Sequence, residues 1–151
     1  MHIAIKNSKI DISSLELTKK LAEKFIDYIN RGTTVCFYGE VGVGKTTFIK
    51  YLINAYQKKN NLEITEVTSP TFNLLNEYDI NHIKINHYDF FRLKTIEDLK
   101  NLDLFQDNSN TITLIEWPQI IKKKPKNLIE LFFEYGKDHK KRYVKINGLS
   151  L

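Results

Sequence analysis

The sequence predicts an α/β fold, and three observations carry that prediction. A β-branched, apolar run, Thr33-Thr34-Val35-Cys36-Phe37-Tyr38, leads directly into the glycine-rich stretch Gly39-Glu40-Val41-Gly42-Val43-Gly44-Lys45-Thr46. Behind that stretch, Phe48, Leu52 and Tyr56 fall at i, i+4 and i+8 with Ile49 and Ile53 beside them, the spacing of a helix that buries one face. Further runs with strand character recur around 72–78, 83–89, 111–116 and 127–146, separated by turn residues.

Taken in order, residues 2–6 predict a short edge strand. Ser13-Ser14-Leu15-Glu16 has the form of a capping box, with Ser13 as N-cap and Glu16 reaching back. Leu17, Leu21 and Phe25, with Ala22 and Ile26, then give an amphipathic helix of about four turns, which Asn30-Arg31-Gly32 closes as a left-handed cap. The second helix fades in the polar stretch 57–61. Strand character around 64–67 is broken at Ser69-Pro70-Thr71, a polar loop, and resumes in a hairpin over about 72–88 with its turn at 79–82. Thr95 predicts an N-cap, with Glu97 and Asp98 in the first turn of a helix reaching Leu104. Thr111–Ile115 is a strongly apolar strand that ends in Glu116-Trp117-Pro118, and a final hairpin turns around Gly136-Lys137-Asp138. With 151 residues and no repeat or low-complexity linker, the chain is expected to form a single domain over 1–151.

Composition excludes several classes. A formal charge of +5 is spread along the chain and gives only a mild bias toward polyanions; the run Lys122-Lys123-Lys124-Pro125-Lys126 reads as a solvated loop. The single cysteine, Cys36, allows no internal disulfide and suggests no metal cluster, and its place in an apolar strand makes it a small core residue. The N-terminus lacks the apolar run of a signal peptide, and no stretch is long enough to span a bilayer, so a cytoplasmic protein is expected.

The glycine stretch fits G-x-x-x-x-G-K-[ST], the phosphate-binding loop, in the strand–loop–helix setting that its chemistry requires. Glycines let the loop curl with N–H groups pointing inward, and the helix that follows adds free N–H groups and the positive end of its dipole. The expected nucleotide-binding residues are Glu40, Val41, Gly42, Val43, Gly44, Lys45, Thr46 and Thr47. Lys45 reaches the β- and γ-phosphates, and the Thr46 hydroxyl ligates Mg²⁺. A second acid is needed near the metal, at the carboxyl end of a strand where ligands enter open α/β sheets. Glu116 and Asp89 both end apolar strands and are the two candidates. His87 stays open between a structural and a site role. Trp117 is placed beside the site by its neighbour Glu116, and Ser69 and Thr71 are candidates for a loop that senses the γ-phosphate.

In this order and spacing, the phosphate loop, Ser69-Pro70-Thr71-Phe72, His87-Tyr88-Asp89-Phe90-Phe91-Arg92-Leu93 and Leu114-Ile115-Glu116-Trp117-Pro118 resemble the bacterial TsaE (YjeE) family, over about Leu15 to Ile146. The resemblance implies a P-loop NTPase sandwich with a mixed, mostly parallel central sheet, β-hairpins and helices on both faces. It implies ATP and Mg²⁺ as cofactors and slow, partner-dependent ATP hydrolysis. It further implies a role in tRNA N6-threonylcarbamoyladenosine (t6A37) modification, supporting turnover of the TsaD–TsaB complex, with tRNA an indirect partner and direct contact left open. Lys45, Asp89 and Glu116 take the catalytic positions, Thr46 and Glu116 the metal positions, and Thr71 and Trp117 lie beside the nucleotide. Phe72 and Phe91 stand where tyrosines are more usual, and the segment before Glu116 carries Leu102-Asp103-Leu104-Phe105 in place of a common glycine.

A P-loop small-molecule kinase is the alternative. Kinases usually recruit several arginines to a lid and acceptor site, whereas this chain has only Arg31, Arg92 and Arg142, far apart. The guanine-reading N-K-x-D pattern of GTP switches is absent, and a tRNA-binding module without catalysis leaves the Mg²⁺-ready loop unexplained.

Overall fold

The structure is a computed structural model that describes residues 9–100, 102, 104 and 109–149; the edge strand expected at 2–6 lies outside them. In chain order the elements are β1 (Ile10–Asp11), α1 (Leu15–Phe25) with a 3-10 turn at Ile26–Tyr28, β2 (Thr34–Tyr38), α2 (Lys45–Lys59), β3 (Leu75–Ile80), β4 (Ile83–Asp89), α3 (Ile96–Lys100), β5 (Thr111–Glu116) with a 3-10 turn at Pro118–Ile120, β6 (Leu128–Tyr135) and β7 (Arg142–Asn147). The strands form one seven-stranded sheet in the order β1-β7-β6-β2-β5-β4-β3. Its inner strands β6, β2, β5 and β4 run parallel. The hairpins β3–β4 and β6–β7 and the short β1 add antiparallel pairs on both sides. The sheet is thus mixed with a parallel centre, as the resemblance implied.

Parallel strands at the centre of a sheet need cover on both faces, and β2 shows how one strand supplies it. Val35 and Phe37 join the core beneath α1 and α2, with Leu21, Phe25, Phe48, Leu52, Ile112, Leu114 and Leu131. Cys36 points the other way, into a smaller cluster with Tyr88, Phe90 and Ile115, which is capped by Leu99 of α3, Trp117 and Ile120. Burial pushes the Cys36 thiol up to about 12, which fits an inert core residue.

Several local expectations are corrected. Ser14, not Ser13, caps α1: its backbone is extended and its hydroxyl accepts from the Leu17 N–H at 3.1 Å. Ser13 instead ties the helix entry to β7, where its Oγ accepts from the Arg142 N–H at 3.0 Å. The buried stripe of α1 accordingly runs through Thr18, Leu21, Ala22 and Phe25, while Leu17 is exposed; the Thr18 hydroxyl is satisfied by the Ile12 and Ser14 carbonyls. Ser14→Ala is expected to cost about 1 kcal/mol, read from the urea midpoint. Glu16→Ala should cost less than half of that, since Glu16 makes only an exposed pair with Lys20.

Gly32 does have a positive φ of 82°, but it serves the turn into β2, donating its N–H to the Thr111 carbonyl. The chain has already left the helix at Ile29, which is extended. The segment 62–70 forms no strand; the Gln57 side chain holds Thr65 through both its N–H and its hydroxyl. β3 begins at Leu75 rather than near 72, because Leu74 turns left-handed and donates to the Pro70 carbonyl. The hairpin turn narrows to Asn81 and His82, with Asn81 at φ 53°, a conformation that asparagine tolerates. Thr95 does cap α3, accepting from the Asp98 N–H at 3.2 Å. That helix is described over Ile96–Lys100, and Leu102 and Leu104 are turn residues rather than helix, the Leu102 N–H donating to the Leu99 carbonyl. Asn101, Asp103 and Phe105 lie outside the described residues.

Candidate functional site

Sheet register builds the site. β5 lies between β2 and β4, and its last residue, Glu116, pairs with Phe37 on one side and Asp89 on the other. Side chains alternate along a strand, so Glu116 shares the face of Ile112 and Leu114, and Asp89 and His87 share the face of Ile85. That face is the one covered by α2. Both acids therefore arrive at the carboxyl edge of the sheet, next to the loop that joins β2 to α2.

In that loop Gly39 has φ 148° and Gly44 φ 118°. A side chain on Gly39 would also lie 2.9 Å from the Phe133 carbonyl oxygen, so the loop accepts only glycine there. Gly44 is the N-cap of α2, which turns the first N–H groups of the helix toward the cleft.

Lys45 is buried, and its ammonium donates to the Gly39 carbonyl and lies 3.7 Å from the centre of the Trp117 ring. Desolvation pulls the Lys45 pKa below the ordinary lysine value, against the opposing pull of the Glu116 and Asp89 charges. Trp117 reaches this place through a left-handed backbone, φ 57° and ψ 56°, which is rare for a bulky residue and concentrates at functional sites. Its ring also leans on Phe91, with centroids 4.9 Å apart.

The polar atoms interlock. The Thr46 hydroxyl donates to Glu116 Oε1 at 2.8 Å, and His87 Nε2 is 2.7 Å from Glu116 Oε2. Asp89 accepts from the Thr71 hydroxyl at 2.9 Å and from the Phe91 N–H at 2.9 Å, with Ser69 at 3.4 Å. These side chains border a cleft of about 300 Å³.

Of the expected site residues, Val41, Gly42, Gly44, Lys45, Thr46, Thr47, Thr71, Asp89, Glu116 and Trp117 line this cleft. Glu40 does not line it, and Val43 is buried in the core and borders a neighbouring cleft instead. Ser69, Phe91 and Arg142 border the cleft as well. Ser69 is the loop candidate named beside Thr71, and Arg142, at the end of the basic stretch 137–142, reaches the cleft because β7 folds back beside β6. A second cleft of about 360 Å³ shares Gly44, Thr47 and Arg142 with the first and extends to Ser14, Thr18 and His139.

The donor set fits Mg²⁺. Thr46 and Glu116 offer hard oxygens, and two buried acids face one lysine. Among the described residues no group of three or more metal-binding side chains forms a cage. That suits a cation which dehydrates reluctantly and is shared with substrate phosphates.

Loop, helix start and strand ends thus surround one cleft in the manner of a phosphate-binding loop, which places the chain among the P-loop nucleotide-binding proteins. The profile of the family described as "Threonylcarbamoyl adenosine biosynthesis protein TsaE" matches residues 12–144. The chain belongs to the TsaE family. It is 38% identical over 136 residues to the tRNA threonylcarbamoyladenosine biosynthesis protein TsaE of Rickettsia bellii, covering 89% of this chain and 92% of that protein. It is 34% identical over 138 residues to the protein of that name from Aquifex aeolicus, covering 91% and 94%. The crystal structure of Bacillus subtilis YdiB has the same fold, with a TM-score of 0.71 at 20% identity over 99% of this chain and 90% of that one.

Proposed function

We propose that the protein is a single-domain ATPase that binds ATP with Mg²⁺, hydrolyses it slowly, and so supports turnover of the TsaD–TsaB threonylcarbamoyl transferase complex in t6A37 modification. The observation that carries this reading is the Thr46–Glu116 hydrogen bond. It joins the phosphate loop to the end of a strand 70 residues away in the chain, where hard oxygens stand next to the loop and a metal could be shared with phosphate. Among the described residues no helix is long and apolar enough to cross a membrane, which agrees with a cytoplasmic site of action.

In this reading the loop N–H groups and the amino end of α2 hold the β-phosphate, and Lys45 leaves the Gly39 carbonyl to pair with β- and γ-phosphate oxygens. Bound Mg²⁺ would supply charge neutralisation across those phosphates. Thr46 already gives its proton to Glu116, so its oxygen lone pairs are free to serve as a metal ligand. Asp89, beside Thr71 and Ser69, orients the attacking water or completes the metal shell. The second cleft, which shares Gly44 and Thr47 with the first, offers room beside the phosphate loop for the rest of the nucleotide. A kinase reading gains little, because Arg142 is the only arginine of the three at the cleft, while Arg92 stacks on Phe72.

The decisive experiment is capture by purified TsaD–TsaB with and without ATP, alongside ATP hydrolysis with and without the complex. Absence of both nucleotide-dependent capture and stimulated hydrolysis would leave the reading without support.

Thr71 and the Phe91 N–H both hang on Asp89, so γ-phosphate contacts would be relayed to the exposed rings of Phe72 and Phe91. ATP and ADP forms are then expected to differ in affinity for the complex by about 1–3 kcal/mol. Thr71→Ala should shrink that difference more than it weakens ATP binding, as titration with ADP-loaded and analogue-loaded protein would show. Asp89→Asn should lower hydrolysis and leave the fold intact; hydrolysis at the parent rate would remove Asp89 from the site.

A further inference from the structure

We infer that His87 is a positioning residue that fixes the Glu116 carboxylate for Mg²⁺. The inference rests on the nucleotide reading above. His87 is fully buried in β4 and does not border either cleft at the site. One ring nitrogen, Nε2, lies 2.7 Å from Glu116 Oε2; the other, Nδ1, is buried with no hydrogen-bond partner among the described residues.

That half-satisfied state is informative. A position that only needed filling would favour an apolar side chain, since an interior polar atom without a partner is costly. Among the described residues the ring makes one hydrogen bond, to Glu116. A carboxylate has no proton to give, so Nε2–H donates and Nδ1 is the nitrogen left unmatched.

The geometry on Glu116 gives the contact its effect. Oε1 accepts from Thr46 and Oε2 accepts from His87, so the carboxylate is held at both ends and its rotation about the last side-chain bond is stopped. With Oε2 engaged behind it, Oε1 and its remaining lone pair stay on the side of Thr46. Partners of this kind behind a metal ligand set its orientation, and their loss typically lowers metal affinity or activity by about 10–100-fold. Strand pairing makes the arrangement possible. His87 stands two residues before Asp89, which is level with Glu116 in the β4–β5 register, so one strand delivers both the acid at the cleft and the donor behind its neighbour.

The test is calorimetric titration of ADP into the full chain at a series of Mg²⁺ concentrations and in EDTA. His87→Leu should need about tenfold or more Mg²⁺ to reach half of the metal-dependent gain in ADP affinity, with affinity in EDTA unchanged. His87→Gln, which can present a donor at similar reach, should recover most of the parent Mg²⁺ dependence. Parent-like Mg²⁺ dependence in folded His87→Leu would overturn the inference, and so would an equal loss in EDTA. Should His87→Leu fail to fold, nitrogen-15 spectra of the parent's histidines decide. The His87 Nε2 should carry a proton and shift when Mg²⁺ is added to the ADP-bound protein, and a bare Nε2 or an unmoved signal would refute the assignment. If the parent itself shows no Mg²⁺-dependent ADP binding, the proposed nucleotide function falls first, which separates the two failures.

Discussion

Replacing Lys45 by methionine is expected to lower ATP affinity tenfold or more while leaving the protein at least as stable to heat. The affinity loss follows from one charge-assisted contact to phosphate, worth about 1.5–3 kcal/mol, and every 1.4 kcal/mol is about a factor of ten. The stability expectation follows from burial. The folded state holds the Lys45 proton less tightly than the unfolded chain does, because desolvation outweighs the help of Glu116 and Asp89. The charge therefore opposes folding at all pH values below its folded pKa, and this opposition fades as pH rises through that value toward the ordinary lysine range. Methionine keeps an unbranched stem against the Trp117 ring and removes the opposition. Calorimetric binding together with a melting curve at neutral pH checks both halves. Parent-like affinity would end the phosphate role of Lys45, and a marked drop in melting temperature would show that its charge supports the fold.

Phe48→Ala is expected to give the largest loss of stability, about 3–5 kcal/mol. Phe48 sits one turn into α2, just after Lys45, Thr46 and Thr47, which line the cleft, and is fully buried. Its ring meets Phe25 at 5.7 Å, Phe37 at 6.0 Å and Phe133 at 5.9 Å, so one side chain binds α1, β2 and β6 to α2. Removing it leaves a cavity that three separate elements would have to close. For a chain of this length the melting temperature should fall by roughly 6–20 °C, as scanning calorimetry would show. A drop of only a degree or two would mean that the core collapses around the gap. Because α2 carries Lys45 and Thr46 at its amino end, nucleotide affinity measured well below the transition should fall less than it does in Lys45→Met.

The strand–loop–helix at 34–59, the strand ending in Glu116 and the two hairpins were legible because each is written in local pattern: alternation, helical spacing and glycines where the backbone must turn. The same patterns placed Lys45, Thr46, Asp89 and Glu116 at element ends, and the structure brings those side chains to one cleft. The misreadings were local competitions. Ser13 and Ser14 are equal candidates for a cap until β7 takes Ser13, and that choice shifts the buried stripe of α1 from Leu17 to Thr18. The strand character of 64–67 and of 72–74 finds no neighbouring strand to pair with, and a side chain or a turn claims those backbones instead.

By itself the sequence determined the class of fold, the phosphate loop and the short list of acids, because glycine conformation, side-chain period and strand ends are properties of neighbouring residues. Tertiary structure alone decided which atoms meet. Parallel pairing of β4, β5 and β2 sets Asp89 and Glu116 level beside the loop, and the fold-back of β7 brings Arg142 to the cleft. The same register hides His87 behind Glu116. These contacts join residues tens of positions apart, and the free energy that selects them comes from burying both faces of a shared sheet, a quantity that no local stretch of the chain contains.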